Sequence, residues 1–269
     1  MKLMSYILSM EKTTIEESII SAMDMTNTDV IKYLPYILQD FWELGSSSEE
    51  VIKIIKRHKP KLSNSDVLDL GSGKGATSIK IATEFGYSCF GIDAIEDFVK
   101  FSNNKAKEHS VDNLCIFETN DIRTRIKTLG KYDIILSMAI GRVFGDHYEA
   151  LTTFCSHLKE GGLIIIDDAY VEDDCVEDYP NILRKSELLE QINRAGMDLI
   201  EIITASEMSG IDDGFERQFA DIQKRCLELV EKYPEDKELL FEYIEEQKEE
   251  YNILSNEIVG AIFVIKKKM

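Results

Sequence analysis

Residues 67–82 read VLDLGSGKGATSIKIA, a strand-forming run that breaks at three glycines and resumes with helical periodicity. That juncture constrains the fold more than any other stretch. Gly71, Gly73 and Gly75 let the backbone turn tightly and approach a ligand without Cβ clashes. The helix that follows aims unpaired N–H groups and a partial positive charge at whatever lies over the turn. Strand, glycine turn and helix in this order belong to a parallel sheet covered by helices, with a nucleotide-like ligand at the carboxyl edge of the strands.

The alternation continues downstream. After DVLDL come the strand candidates SCFGID, LCIFET, YDIILSM, GGLIIIDD and MDLIEIITA. Between most of them lie the amphipathic segments GATSIKIATEF, IEDFVKFSNNKAKEH, DHYEALTTFCSHL and SELLEQINRAG. Asp146 and Glu149 have capping-box spacing, and the fourth helix is expected to open at Ser186 and stop at Gly196. Residues 1–60 read as a helical cap. Val30, Leu34, Ile37, Leu38 and Phe41 recur at helical spacing, with Pro35 opening or kinking that helix. Residues 61–205 form the core. Residues 206–254 break the alternation with two apolar stripes, one through Phe215, Phe219, Ile222, Cys226, Leu229 and Tyr233, the other through Leu239, Leu240, Tyr243, Ile244 and Tyr251. Pro234 separates them, and residues 255–269 return to the core as a final strand, EIVGAIFVIKK.

A net charge of −19 over 269 residues repels phosphate backbones, which argues against nucleic acid as a partner. No apolar run approaches the roughly 20 residues of a membrane span, so no membrane partner is expected. Five widely spaced cysteines without a CxxC pair read as reduced thiols in a cytoplasmic protein rather than a zinc or disulfide framework.

Asp69 helps to decide which ligand lies over the turn. With Ala76 the turn satisfies the relaxed dinucleotide fingerprint G-x-G-x-x-A. A carboxylate at Asp69 would face a dinucleotide pyrophosphate, like charge against like. It suits a ligand with a sulfonium, an ammonium and one carboxylate, such as S-adenosylmethionine. Asp93 ends the second strand, 24 residues later, where an acid accepts from ribose hydroxyls. Asp121, after the third strand, has two readings: an acceptor for the adenine amino group beside the Ile122 N–H, or a cap for the helix IRTRIKTL.

Five segments, VLDLGSGKG, GIDAIEDFV, NDIRT, YDIILSMAIGRVFGDHYEAL and LKEGGLIIIDD, occur in the order and spacing of class I S-adenosylmethionine-dependent methyltransferases. The chain resembles that family over roughly residues 60–205 plus the last strand. Within it the chain is most similar to the small-molecule group that includes ubiquinone/menaquinone-type C-methyltransferases and glycine- or phosphoethanolamine-type N-methyltransferases. The resemblance implies an α/β, Rossmann-like fold: a seven-stranded, mostly parallel sheet of order 3-2-1-4-5-7-6, with strand seven antiparallel. It also implies donor contacts at Asp69, Gly71, Ser72, Gly73, Asp93, Ala94, Asp121, Ile122 and the backbone of Ser137 and Met138. The enzyme would transfer a methyl group to a small-molecule acceptor by in-line displacement.

Such a displacement asks the protein mainly to position the nucleophile and exclude water, so no universal catalytic motif marks the acceptor side. The candidates are Arg142, for a substrate anion or as a surface arginine, and His147, as a base or a solvent-facing cap residue. Asp167, Asp168 and Tyr170 reach the same rim after the fifth strand. Tyr33, Tyr36 and Trp42 either wall the pocket or pack in the core. Aromatic residues ahead of the sheet and acids behind it favour a cationic acceptor. The run DDAYVEDDCVED reads as a solvated loop. As a metal site it lacks the acid that catechol-type enzymes place after strand four, so no metal is expected. Residues 206–254 form a lid over the acceptor or a dimerisation arm, in a monomer or homodimer. The competing readings are an NAD(P)-dependent oxidoreductase and a donor-binding module without turnover.

Overall fold

The computed structural model describes residues 14–23, 25–58, 64–177, 179, 182–208, 212–254 and 258–268. One sheet organises the chain. Its strands are β1 (Asp66–Leu70), β2 (Ser88–Asp93), β3 (Cys115–Thr119), β4 (Tyr132–Met138), β5 (Leu158–Val171), β6 (Leu183–Arg184), β7 (Met197–Thr204) and β8 (Val259–Lys267). They lie in the order β3-β2-β1-β4-β5-β8-β7, with β6 on β5. This is the expected path of seven strands with one short addition. Among the described strands, β8 alone runs against the direction of the others. β5 outruns β4: the last pair is Met138 with Asp167, and Tyr170 and Val171 then pair with Leu183 and Arg184.

The central strands are apolar on both faces because both are covered. Val67, Leu136, Met138, Leu163 and Ile165 face one cluster, into which α3 (Ser48–His58) and α4 (Ala76–Phe85) send Ile54, Ile55 and Ile79. Leu68, Leu70, Ile135, Ile164 and Ile166 face the other, under α7 (His147–Ser156) and α8 (Lys185–Arg194). The Asp146–Glu149 capping box is present. The helix expected at Ser186 starts at Lys185, because Glu187 reaches back to the Arg184 N–H and displaces the serine as terminator.

The leading segment departs from the expected helices. α1 (Ile15–Ala22) is separate, Thr28–Tyr33 winds as a tighter 3-10 helix, and Pro35 opens a single α turn, α2 (Leu34–Ile37). The spacing of Val30, Leu34, Ile37 and Leu38 still buries all four, against Ile222, Cys226, Leu229, Leu240, Tyr243 and Ile244. These come from α9 (Asp212–Lys232) and α10 (Lys237–Leu254). Both stripes of the insertion therefore pack on each other and on the leading segment; the Phe215 side chain lies outside the described residues. Polar ties rim that contact. Tyr33 Oη donates to Asp236 at 2.5 Å, Tyr36 Oη to Glu228 at 2.7 Å, and Arg225 grips Asp40 through two nitrogens at 2.6 and 2.8 Å.

One lysine ties this assembly to the glycine turn. Lys74 is buried, and its ammonium donates to the carbonyls of Leu38 and Phe41, the latter at 2.6 Å. The Lys74 carbonyl accepts from Trp42 Nε1 at 3.1 Å. Burial pulls the Lys74 amine down to about 8. Replacing it strands two carbonyls that have lost their donor. Lys74→Ala is expected to cost about 1–3 kcal/mol of stability and to raise hydrogen exchange selectively in residues 34–46. Denaturant melts and exchange mass spectrometry measure the two effects.

Candidate active site

The turn after β1 is locked in a conformation that side chains cannot enter. Gly71, Gly73 and Gly75 all have positive φ, between 51° and 72°. A Cβ on Gly71 would stand 2.4 Å from Ile140 Cγ2, and one on Gly75 would stand 2.7 Å from Phe117. The N–H groups of Gly71 and Ser72 both donate to the Ile92 carbonyl, at 2.9 and 3.0 Å, which closes the turn on β2. Gly75 caps α4 without a side chain, so the first N–H groups of that helix keep no side-chain acceptor.

Two carboxylates frame the turn. Asp69 is buried and accepts from Ser78 Oγ at 2.6 Å. Burial pushes it up to about 6; the Ser78 hydrogen bond pulls the other way, and nearby Asp93 adds to the rise. Asp93 accepts the Gly73 N–H on Oδ2 at 2.8 Å and the Ile95 N–H on Oδ1 at 2.9 Å. Its carboxyl is also raised, by burial, against the backbone donors of Ile95, Gly73 and Ala94. Asp121 takes the cap position of α6 (Ile122–Arg125) and accepts from the Arg123 N–H and guanidinium at 2.8–3.1 Å. Burial raises its carboxyl, but Arg123 outweighs it and holds Asp121 low. Ser137 and Met138 end β4 beside this turn, Ser137 in register with Leu70.

α1 lies across this edge. The Thr14 carbonyl just before it accepts from Arg123 at 3.2 Å, and its far end brings the Ser21 carbonyl within 3.4 Å of where a Gly141 Cβ would stand. Ala139, just after β4, holds φ at +53°, a left-handed conformation uncommon for a residue with a side chain. Asp167 ends the β4 pairing, and burial pushes its carboxyl up to about 7, with Ser46 opposing and Asp168 adding to the rise. His147 is buried rather than facing solvent as a helix-start residue would. Its Nε2 lies 3.2 Å from Asp168 Oδ2, without the alignment of a hydrogen bond.

Four buried side-chain atoms lack a hydrogen-bond partner among the described residues: Ser46 Oγ, Ser72 Oγ, Arg142 Nε and His147 Nε2. All belong to the carboxyl edge of the sheet or to the loop packed on it. Native interiors rarely leave such groups unpaired, and several together mark where a polar ligand completes the structure. Of the two readings of Tyr33, Tyr36 and Trp42, their contacts agree with packing rather than with a pocket wall. Tyr33 and Tyr36 are committed to Asp236 and Glu228. The Trp42 ring packs beside His109, with centroids 5.0 Å apart, and against Lys80 and Lys105 on the helical face. Tyr170 is core, its ring against Phe263 and under the Lys185 ammonium. Sequence reasoning passed over Ser46, Ser78 and Lys74. No sequence signal marked Ser46, which is brought to the site by the packing of Gly45 on Ala139.

Residues 61–257 match the methyltransferase-domain family. The chain belongs to this family. Phosphoethanolamine N-methyltransferase of Plasmodium falciparum is 29% identical over 194 residues, 69% of this chain and 68% of that protein. A ubiquinone biosynthesis O-methyltransferase of Rickettsia felis is 23% identical over 175 residues, 57% of this chain and 69% of that protein. Among solved structures, an S-adenosylmethionine-dependent methyltransferase of Geobacter sulfurreducens, in complex with S-adenosyl-L-homocysteine, shares the fold. Its TM-score is 0.73 at 18% identity, over 88% of this chain and 98% of that one. The enzyme class and donor expected from the sequence stand with that membership. Among the described residues, no group of three or more His, Cys, Asp or Glu is disposed to hold a metal, and no helix is long and apolar enough to cross a membrane.

The raised carboxyl at Asp167 has a consequence for stability. Its folded value lies above its unfolded one, so the folded state retains a proton that the unfolded chain has released. Stability then falls as pH rises between about 4 and 7. Asp167→Asn removes the half-buried charge and keeps the shape. The variant is expected to melt higher than the parent by roughly 5 °C at pH 8, with the difference vanishing toward pH 4.

Proposed function

We propose that this methyltransferase holds S-adenosylmethionine over the turn after β1 and moves its methyl group to a small molecule entering beside β4 and β5. The observation that carries the reading is the gathering of unpaired buried atoms and raised carboxyls at that one edge. The donor fits what the residues offer. Gly71, Gly73 and Gly75 leave a cradle that a Cβ would fill, and the uncapped start of α4 suits a carboxylate. Asp69, buried with a single neutral donor, suits an ammonium. Asp93 accepts an aligned N–H on each oxygen, from Gly73 and Ile95, and retains acceptor capacity for ribose hydroxyls. Ala94 borders that contact. Asp121 is largely spent on Arg123, which leaves the Ile122 N–H, unpaired at the helix start, as the stronger adenine contact.

When bound, the donor supplies a methyl group on a sulfonium sulfur, ready for in-line displacement. The chain's own part is to position and to exclude water. α1 roofs the edge from the Asp121 loop to Gly141, and Lys74 pins the following segment to the turn. The insertion braces that segment from outside, so its role is that of a lid support. Its apolar stripes are spent within the chain, which favours a monomer over a dimer held by these helices. The absence of a disulfide among the described residues agrees with a cytoplasmic setting. The relatives are named for N- and for O-methylation, and leave the accepting atom open.

Calorimetric titration with S-adenosylmethionine tests the donor site. Asp93→Ala should weaken binding by about 1.5–3 kcal/mol while the protein remains folded. Unchanged affinity would move the ribose elsewhere. The bracing role is tested by replacing residues 212–250 with a short Gly-Ser turn. The expected protein keeps its oligomeric state, exposes residues 30–38 to exchange and loses turnover. Retained turnover with a dimer falling to monomer would make the insertion an interface.

A further inference from the structure

We propose that Asp167 and Ser46 form the acceptor subsite, and that it takes the ammonium group of an amine whose proton Asp167 receives. The inference rests on the methyl-transfer reading above.

Strand alternation places Asp167 on the same face of the sheet as Leu163 and Ile165, whose cluster includes Val67, Leu136 and Met138. That is the face of Asp69. Asp167 is in register with Met138 on one side and Ile262 on the other, so its backbone is fixed from both edges. Its carbonyl also accepts the Ala139 N–H at 3.0 Å, which ties it to the strained residue that follows β4. The side chain thus stands beside the end of β4, on the flank away from β1 and the donor turn.

Ser46 comes to this point from the leading segment. Gly45 packs so closely on Ala139 that a Cβ there would stand 3.1 Å from the Ala139 Cβ. Ser46 is only 8% exposed, and its hydroxyl faces the Asp167 carboxyl without closing an aligned hydrogen bond. A buried hydroxyl with no partner and a half-buried carboxyl are both set to receive or share hydrogen bonds from a third group.

Charge selects that group. The groups acting on Asp167 are Ser46, which is neutral, and Asp168, which is acidic. Behind Asp168 stands His147. Among the described residues no lysine or arginine forms a salt bridge with Asp167. An anionic acceptor would meet two carboxyls. A neutral alcohol would leave the half-buried charge uncompensated. An ammonium supplies both the counter-charge and the donors, and it arrives with the proton that must leave before its nitrogen can attack.

The step balances. The Asp167 carboxylate takes one proton from R–NH3+, leaving R–NH2 with a free electron pair and Asp167 as the neutral acid. The pair forms the N–CH3 bond as the C–S bond breaks, and the electrons of that bond stay on sulfur. The product leaves as R–NH2–CH3+, and Asp167 gives its proton to water. One proton is released per methyl transferred, with no oxidant or further reactant.

The test uses the full chain saturated with S-adenosylhomocysteine and titrated at pH 8 with n-butylammonium, with n-butanol as the uncharged control, by calorimetry. n-Butylammonium should bind the parent complex and n-butanol should not. Asp167→Asn should weaken the amine about tenfold or more, and Ser46→Ala about threefold, since a charge-assisted hydrogen bond is lost in the first and a neutral one in the second. S-Adenosylhomocysteine affinity should stay within about twofold in both variants, because neither residue borders the donor cradle. Equal amine binding by Asp167→Asn, equal binding of butanol, or no amine binding by a parent that does bind S-adenosylhomocysteine would each overturn the proposal. A parent that fails to bind S-adenosylhomocysteine would instead remove the donor-site reading on which it rests.

Discussion

The closure of the glycine turn on β2 is the constraint that the rest of this edge depends on. One carbonyl, that of Ile92, receives two successive N–H groups, and one carboxylate, that of Asp93, receives a third from Gly73. The turn is therefore anchored to a neighbouring strand, and its shape does not rely on a ligand. Phe117 from β3 and Ile140 from beyond β4 fill the space where glycine side chains would have been. A cradle packed from three strands is stiff, and stiffness lets a binding site avoid the ordering cost of assembling itself around its guest. Its charge is less settled than its shape. Asp69, buried, and Asp167, half-buried, share one face with hydroxyls for company and no cation in a salt bridge with either among the described residues, a state that costs folding free energy and that positively charged ligands relieve.

Much of the fold was legible because it obeys short-range rules. The strands are short apolar runs and the helices between them are amphipathic, so periodicity located both. The path of the sheet came from family resemblance, and β6 escaped notice because two residues carry no periodic signal. The leading segment was read as helical, with Pro35 opening or kinking a helix, but its division into short pieces was not legible. Val30, Leu34, Ile37 and Leu38 keep a helical spacing, but Pro35 and the demands of packing on α9 and α10 break it into 3-10 and single-turn pieces. Spacing reported which side chains are buried, not how the backbone carries them there.

The site was legible to a different degree on its two sides. Glycines, Asp69 and Asp93 are placed by the turn itself, within a few residues of sequence. The acceptor side is assembled from distant stretches, and composition misled there. Tyr33, Tyr36 and Trp42 looked available as pocket walls because nothing local engages them. Their partners, Asp236, Glu228 and the Lys74 carbonyl, lie 32 to 203 residues away. Ser46 went unremarked for the same reason: its importance comes from Ala139 and Asp167, which no local pattern links to it. His147 resembled an ordinary helix-start residue, and only the position of Asp168 across the sheet edge shows why it is buried.

The placement of β8 carries a consequence for how the protein is made. This strand is the latest of the eight in sequence, yet it lies inside the sheet, between β5 and β7. As the chain emerges from the ribosome, β5 and β7 must wait with facing edges unpaired until residues 259–267 arrive. The leading segment waits too, since its apolar side chains are covered by α9 and α10 from just before β8. Such edges and faces invite pairing with the wrong chain. The acidic surface of the insertion, with 15 acids against 6 bases over residues 206–254, repels like nascent chains during that interval. Closure of the sheet is thus a late event in biosynthesis, completed from within.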